Sequence, residues 1–208
     1  MDHQPIIQKT REYAKETLKG QSGCHDIWHI DRVWKNAKLI GKNEDVNMFV
    51  VELAAILHDI ADHKFHDGDE TAGPRVAREW LQSQLVAEDI IQHVCSIIAG
   101  VSFKGANVEE TTLSKEGQVV QDADRLDAIG AIGIGRTFTY GGHTKREMYN
   151  PHIKPEQHTT KEAYMNNKSP TLNHFYEKLL LLKGLMNTET AKRIAAQRHE
   201  FMKLYLDQ

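Results

Sequence analysis

Apolar residues recur along most of this chain at the three-to-four spacing of a helix face, and no convincing stretch alternates with the period of a half-buried strand. Ile6, Ile7, Tyr13, Ala14 and Leu18 predict a first helix that ends near Gly20. Ile30, Val33, Trp34, Ala37 and Ile40 predict a second that stops at Gly41. From Asn47 to Ile60 the chain is apolar nearly all round, the pattern of a buried central helix. Its apolar run is interrupted by Glu52 and is too short to span a bilayer. Residues 61–69 are polar and read as a loop, and Thr71–Leu81 and Ala87–Ala99 predict two more helices. Residues 102–107 break the period with Gly and Lys. A long helix is predicted to start near Ser114 and run through Ala131, with the Gly-rich GAIGIGRTFTYGG as its kink or end. Residues 141–170, polar and Pro-bearing, predict a long loop or lid. Phe175, Tyr176, Leu179, Leu182 and Met186 predict another helix, and a last one opens with a Thr188 cap and carries Ala191, Ile194, Ala195, Phe201, Met202 and Tyr205. There are no internal repeats. The expected fold is all-α, a bundle of about seven to nine helices in one domain spanning residues 1–208.

Composition narrows the class. A chain of 208 residues that is 40% hydrophobic can bury a sizeable core. Its net charge of -3, from 26 Lys+Arg against 29 Asp+Glu, offers no basic excess for duplex nucleic acid. Cys24 and Cys95 make no disulfide framework and fit a reduced setting. The amino-terminal segment has no apolar signal core. A cytoplasmic protein without a membrane partner is the expectation, and a homodimer is one assembly the sequence allows. Twelve histidines are many for this length and direct attention to metal-ligand spacing.

His58 and Asp59 end the buried third helix, where both lose hydration unless something pairs with them. A divalent cation satisfies both. Asp26 and His29 are three apart at the start of the second helix and share a face. Asp26 and His25 could equally cap that helix. Asp124 lies on the long helix one turn before Asp127. His29, His58, Asp59 and Asp124 thus form a candidate set of two imidazoles and two carboxylates from three helices. That mixed N/O set suits Mn, Fe, Ni, Co, Zn or Mg. Trp28, Trp34 and Trp80 are expected to fill the core, although Trp28 beside His29 is also placed to line a pocket. Cys24 and His25 are neighbours that do not face each other on a helix, which argues against a thiolate nucleophile. His143, His152, His158, His174 and His199 read as surface or structural residues.

The order H…HD…D, filled by His29, His58-Asp59 and Asp124, resembles the HD-domain metal-dependent phosphohydrolases. The likeness is closest to a branch of small stand-alone bacterial HD hydrolases. It is carried by HDIWHIDRVWKNA, LAAILHDIADHKF, IIAGVSFKG, QDADRLDAIGAIGIGRTF and LNHFYEKLLLLKGLMNTETAKRIA, which spread over nearly the whole chain. The resemblance implies an all-α fold and hydrolysis of phosphate esters or phosphoanhydrides. It also implies nucleoside or deoxynucleoside triphosphates as substrates, cleaved with release of pyrophosphate. The ligand aspartate of the motif is the one followed by a basic residue, which selects Asp124 over Asp122. Helical geometry agrees, because Asp122 points about 200° away from Asp124.

The same resemblance implies that Asp62, three residues after Asp59, is the acid/base that shuttles a proton. Arg125, Lys64 and Lys104 are the expected phosphate contacts, with Arg32 and Arg136 behind them. Asp127 and Asp26 are expected beside the substrate. Binuclear relatives supply further histidines between the HD pair and the last aspartate. His93 falls in that interval but is alone on its helix, and His63 and His66 lie too close to the pair, so one metal ion is expected. Competing readings are a nucleoside monophosphate phosphatase or a cyclic-nucleotide phosphodiesterase. A non-catalytic nucleotide sensor is a third, disfavoured because all four ligand positions are filled.

Overall fold

The computed structural model describes residues 3–20, 26–61, 69, 71–101, 112–156 and 169–208. Every regular element among them is helical. The α-helices are α1 (Gln4–Thr17), α2 (Ile27–Gly41), α3 (Met48–Leu57), α4 (Ala72–Ser83), α5 (Glu88–Gly100), α6 (Lys115–Asp127), α7 (Gly130–His143) and α8 (Glu189–Leu206), with a π-helical turn Phe175–Leu179 and a 3-10 turn Leu182–Leu185 before α8. The expected all-α class is what the chain adopts. No described helix is long and apolar enough to cross a membrane. The chain divides into two compact units, the first holding α1 to α5 and α6 as far as Ala123, the second running on from Asp124.

In the first unit α3 is central because every residue from Val50 to Leu57 is buried. It packs against α1, α2 and α5, and α4 packs on α5. Asn47 caps α3 by accepting from Phe49 N at 3.1 Å, while its own N–H donates to Glu116 at 2.9 Å. The one polar interruption, Glu52, is buried and accepts from Trp34 Nε1 at 2.8 Å, with Lys38 Nζ 3.6 Å away. Arg11 binds Asp31 through two hydrogen bonds of 2.8 and 2.7 Å. Trp80 stacks on Tyr13 at 4.1 Å and donates to Thr10 at 3.0 Å. Trp34 and Trp80, expected in the core, are half-buried and held by these contacts. Trp28, also expected there, is 64% exposed. The buried stripe of α2 is His29, Ile30, Val33, Ala37 and Ile40, and Trp28 falls about 200° from Ile30.

In the second unit α7 packs against α8, and Phe175 is fully buried. Thr188 caps α8, its Oγ1 accepting from Ala191 N at 3.3 Å. The long helix expected from Ser114 to Ala131 is instead two helices. Gly130 has φ of +76°, a conformation that a side chain disfavours, and a Cβ there would meet Arg198 Cγ at 3.0 Å. The Gly-rich segment is thus a helix in its own right, and it runs through His143 rather than giving way at Gly141. The helix expected over Phe175–Met186 is a π-helical turn, with Leu180 N donating to Phe175 O at 2.9 Å, followed by the 3-10 turn. Of the predicted lid, residues 144–156 and 169–170 carry no regular helix, and 157–168 lie outside the described residues.

Candidate metal centre

His29 is the third residue of α2, and Asp26 caps that helix. The Asp26 carboxylate accepts from His29 N at 2.9 Å, so the cap bond falls on the residue whose ring enters the site. His58 and Asp59 follow the end of α3 in a turn closed by Ile60 N donating to Leu57 O at 3.1 Å. His58 Nδ1 donates to Ala55 O at 2.9 Å. A carbonyl only accepts, so Nδ1 carries the proton and Nε2 keeps its lone pair.

That lone pair faces the other two groups. Nε2 of His58 and Nε2 of His29 are 3.3 Å apart, and Asp59 Oδ2 lies 3.4 Å from His29 Nε2 and 3.5 Å from His58 Nε2. His29 and His58 are buried, and Asp59 is the most open to solvent of these three. All three candidate ligand atoms lie within 4.8 Å of one another. Two imidazole nitrogens and a carboxylate oxygen converging in a buried place make a donor set suited to a divalent cation. The residues fit the expected metal.

The other predicted residues stand as follows. Asp124 is on α6 in the second unit and is half-buried. The preceding residue, Ala123, accepts from Asn36 Nδ2 of α2 at 3.4 Å within the first unit. Asp26, expected beside the substrate, takes the capping role. Asp127 is buried and paired with Arg136 at 2.7 Å, so both serve the joint between α6 and α7. Arg125 is buried and donates from Nη1 to Leu185 O, which anchors the 3-10 turn. His93 bonds Ser114 Oγ at 2.8 Å and lies 3.6 Å from Glu116, tying α5 to the start of α6 rather than joining the cluster. Asp62, Lys64, Lys104, His25, His63, His66 and Cys24 lie outside the described residues. The fixing of His58 by the Ala55 carbonyl had no signal in the sequence, because its acceptor is backbone.

A family model described as HD domain matches residues 27–129. The Bacillus subtilis protein YpgQ is 36% identical over 206 residues, covering 97% of this chain and 90% of the relative. A crystal structure of YpgQ in complex with ADP aligns with a TM-score of 0.80 at 34% identity, covering 100% of this chain and 95% of that one. A Lactobacillus plantarum protein aligns with a TM-score of 0.87 at 39% identity, covering 100% and 96%. An HD-superfamily hydrolase from Bacillus thuringiensis aligns at 0.77 and 43% identity, with the same coverage.

Proposed function

This chain belongs to the HD-domain family and is a metal-dependent hydrolase, and from that premise we propose that it acts on nucleotides, cleaving nucleoside or deoxynucleoside triphosphates to the monophosphate and pyrophosphate. The observation that carries the metal chemistry is the buried convergence of His29, His58 and Asp59. What supports the nucleotide is the ADP held by the YpgQ crystal structure. The proposal takes His29, His58, Asp59 and Asp124 as the ligands of one divalent ion, with manganese as the first candidate.

When bound, the ion supplies Lewis acidity and lowers the pKa of water in contact with it. The protein does the rest. Asp62 takes the proton from the attacking water, as a new P–O bond forms at the α-phosphorus and the bond to the bridging oxygen breaks. Pyrophosphate leaves with that bridging oxygen. Lys64 and Lys104 offset charge on the phosphate oxygens. Arg125 and Asp127, held by Leu185 and Arg136, contribute by fixing the end of α6. The same reading takes residues 1–208 as one hydrolase domain, since the Lactobacillus plantarum likeness covers the full chain. Its two cysteines favour a cytoplasmic setting.

The test is a screen of Mn, Mg, Co, Ni, Zn and Fe against triphosphates, monophosphates and cyclic nucleotides, with products identified. Pyrophosphate release from triphosphates supports the proposal. Orthophosphate released from monophosphates, or ring opening of cyclic nucleotides, would replace it with the corresponding alternative.

A further inference from the structure

We infer that Trp28 is the platform on which the base of a nucleotide substrate stacks, an inference that rests on the nucleotide reading above. α2 begins at Ile27, so Trp28 and His29 are its second and third residues. They meet opposite fates. His29 is 1% exposed with its ring in the metal cluster, whereas Trp28 is 64% exposed. The other two tryptophans are each held by the fold. Trp34 donates to Glu52 and has Lys38 Nζ 4.9 Å from its ring centre, and Trp80 stacks on Tyr13 and donates to Thr10. Among the described residues the Trp28 indole has no hydrogen bond, ring partner or cation. One residue from a candidate metal ligand, a large aromatic face left open to water is placed to stack the base of a ligand held at the cluster.

The geometry fits a nucleotide. Adjacent helical residues point about 100° apart, so the indole stands beside the cluster rather than in it. Phosphates at the cluster leave the base about one ribose away, and the proposal sets it on the Trp28 side. Asp59, the most open to solvent of the three clustered residues, marks the cluster's accessible edge. Arg32, four residues after Trp28, lies along the same face of α2. A π face reads no base edge, so the site should accept all bases and bind purines more tightly than pyrimidines.

Trp28→Ala and Trp28→Phe test this, compared with wild type. ADP binding is followed by titration calorimetry with and without Mn, and KM is measured for ATP, UTP and inorganic tripolyphosphate. Trp28→Ala should weaken ADP binding, and raise the ratio of KM for ATP to KM for tripolyphosphate, by about 10–100-fold. Trp28→Phe should restore most of both, and UTP should be affected less than ATP. An unchanged ratio in Trp28→Ala overturns the inference while leaving the nucleotide reading intact. So does a concentration-dependent loss of dimer mass with unchanged ADP affinity, which would make Trp28 a contact between copies of this chain. Wild type that hydrolyses tripolyphosphate but binds no ADP overturns both.

Discussion

Asp26→Ala removes the acceptor that holds His29 N at 2.9 Å. Loss of an N-cap costs about 1 kcal/mol, with a range of roughly 0.5–2. For a chain of this size that lowers the melting temperature by about 2–4 °C. The larger effect should fall on the metal. His29 sits in the first turn, which frays when its cap is lost, and its ring is one of the groups that must converge. Loss of a group that orients a metal ligand typically weakens metal binding about 10–100-fold. Asn caps as well as Asp does, so Asp26→Asn should restore both the melting temperature and the metal affinity. The assay is thermal melting in chelator, to isolate the cap, alongside calorimetric titration of Mn into metal-free protein. If Asp26→Asn kept its stability but lost activity as fully as Asp26→Ala, the carboxylate's charge would be acting on the substrate or ion. The capping account would then be wrong.

Other predictions follow from individual contacts. Burial, with Lys178 and Arg146 adding to it, pushes His174 down from 6.5 to about 3, although part of the residue still reaches the surface. The unfolded chain then binds a proton that the fold refuses, so stability is full above about pH 6.5 and falls as the pH drops toward 3. Urea midpoints at about pH 7.5 and pH 5 should show this, and His174→Phe should flatten the slope. Leu53→Ala opens a cavity in fully buried α3 and should cost about 2–5 kcal/mol by denaturant unfolding, with the metal site retained. Asp62→Ala should keep bound metal and lose about 10²–10⁴-fold in kcat, and near-normal turnover would remove Asp62 from the mechanism.

Much of this was legible because the helical period is strong where a face is buried. The core positions of α2 and α3, and the Thr188 cap, follow from local pattern alone. The His58-Asp59 pair was legible for a related reason: polar groups ending an apolar helix demand a partner. The break between α6 and α7 was not, because Gly130's positive φ answers to Arg198, far along the chain. Arg125 read as a phosphate contact since its charge is visible, whereas its acceptor, the Leu185 carbonyl, is set by tertiary packing. The exposure of Trp28 was readable in retrospect from its place opposite the α2 stripe. Aromatic character outweighed angle in that expectation.

The most direct measurement is the metal content of chain purified after loading with Mn, for wild type, Asp59→Ala and Asp124→Ala, with helical content checked by circular dichroism. Wild type should retain one tightly held ion per chain, and both variants should lose it while staying helical. An Asp59→Ala protein that keeps its ion would contradict the account, as would a wild type that holds none.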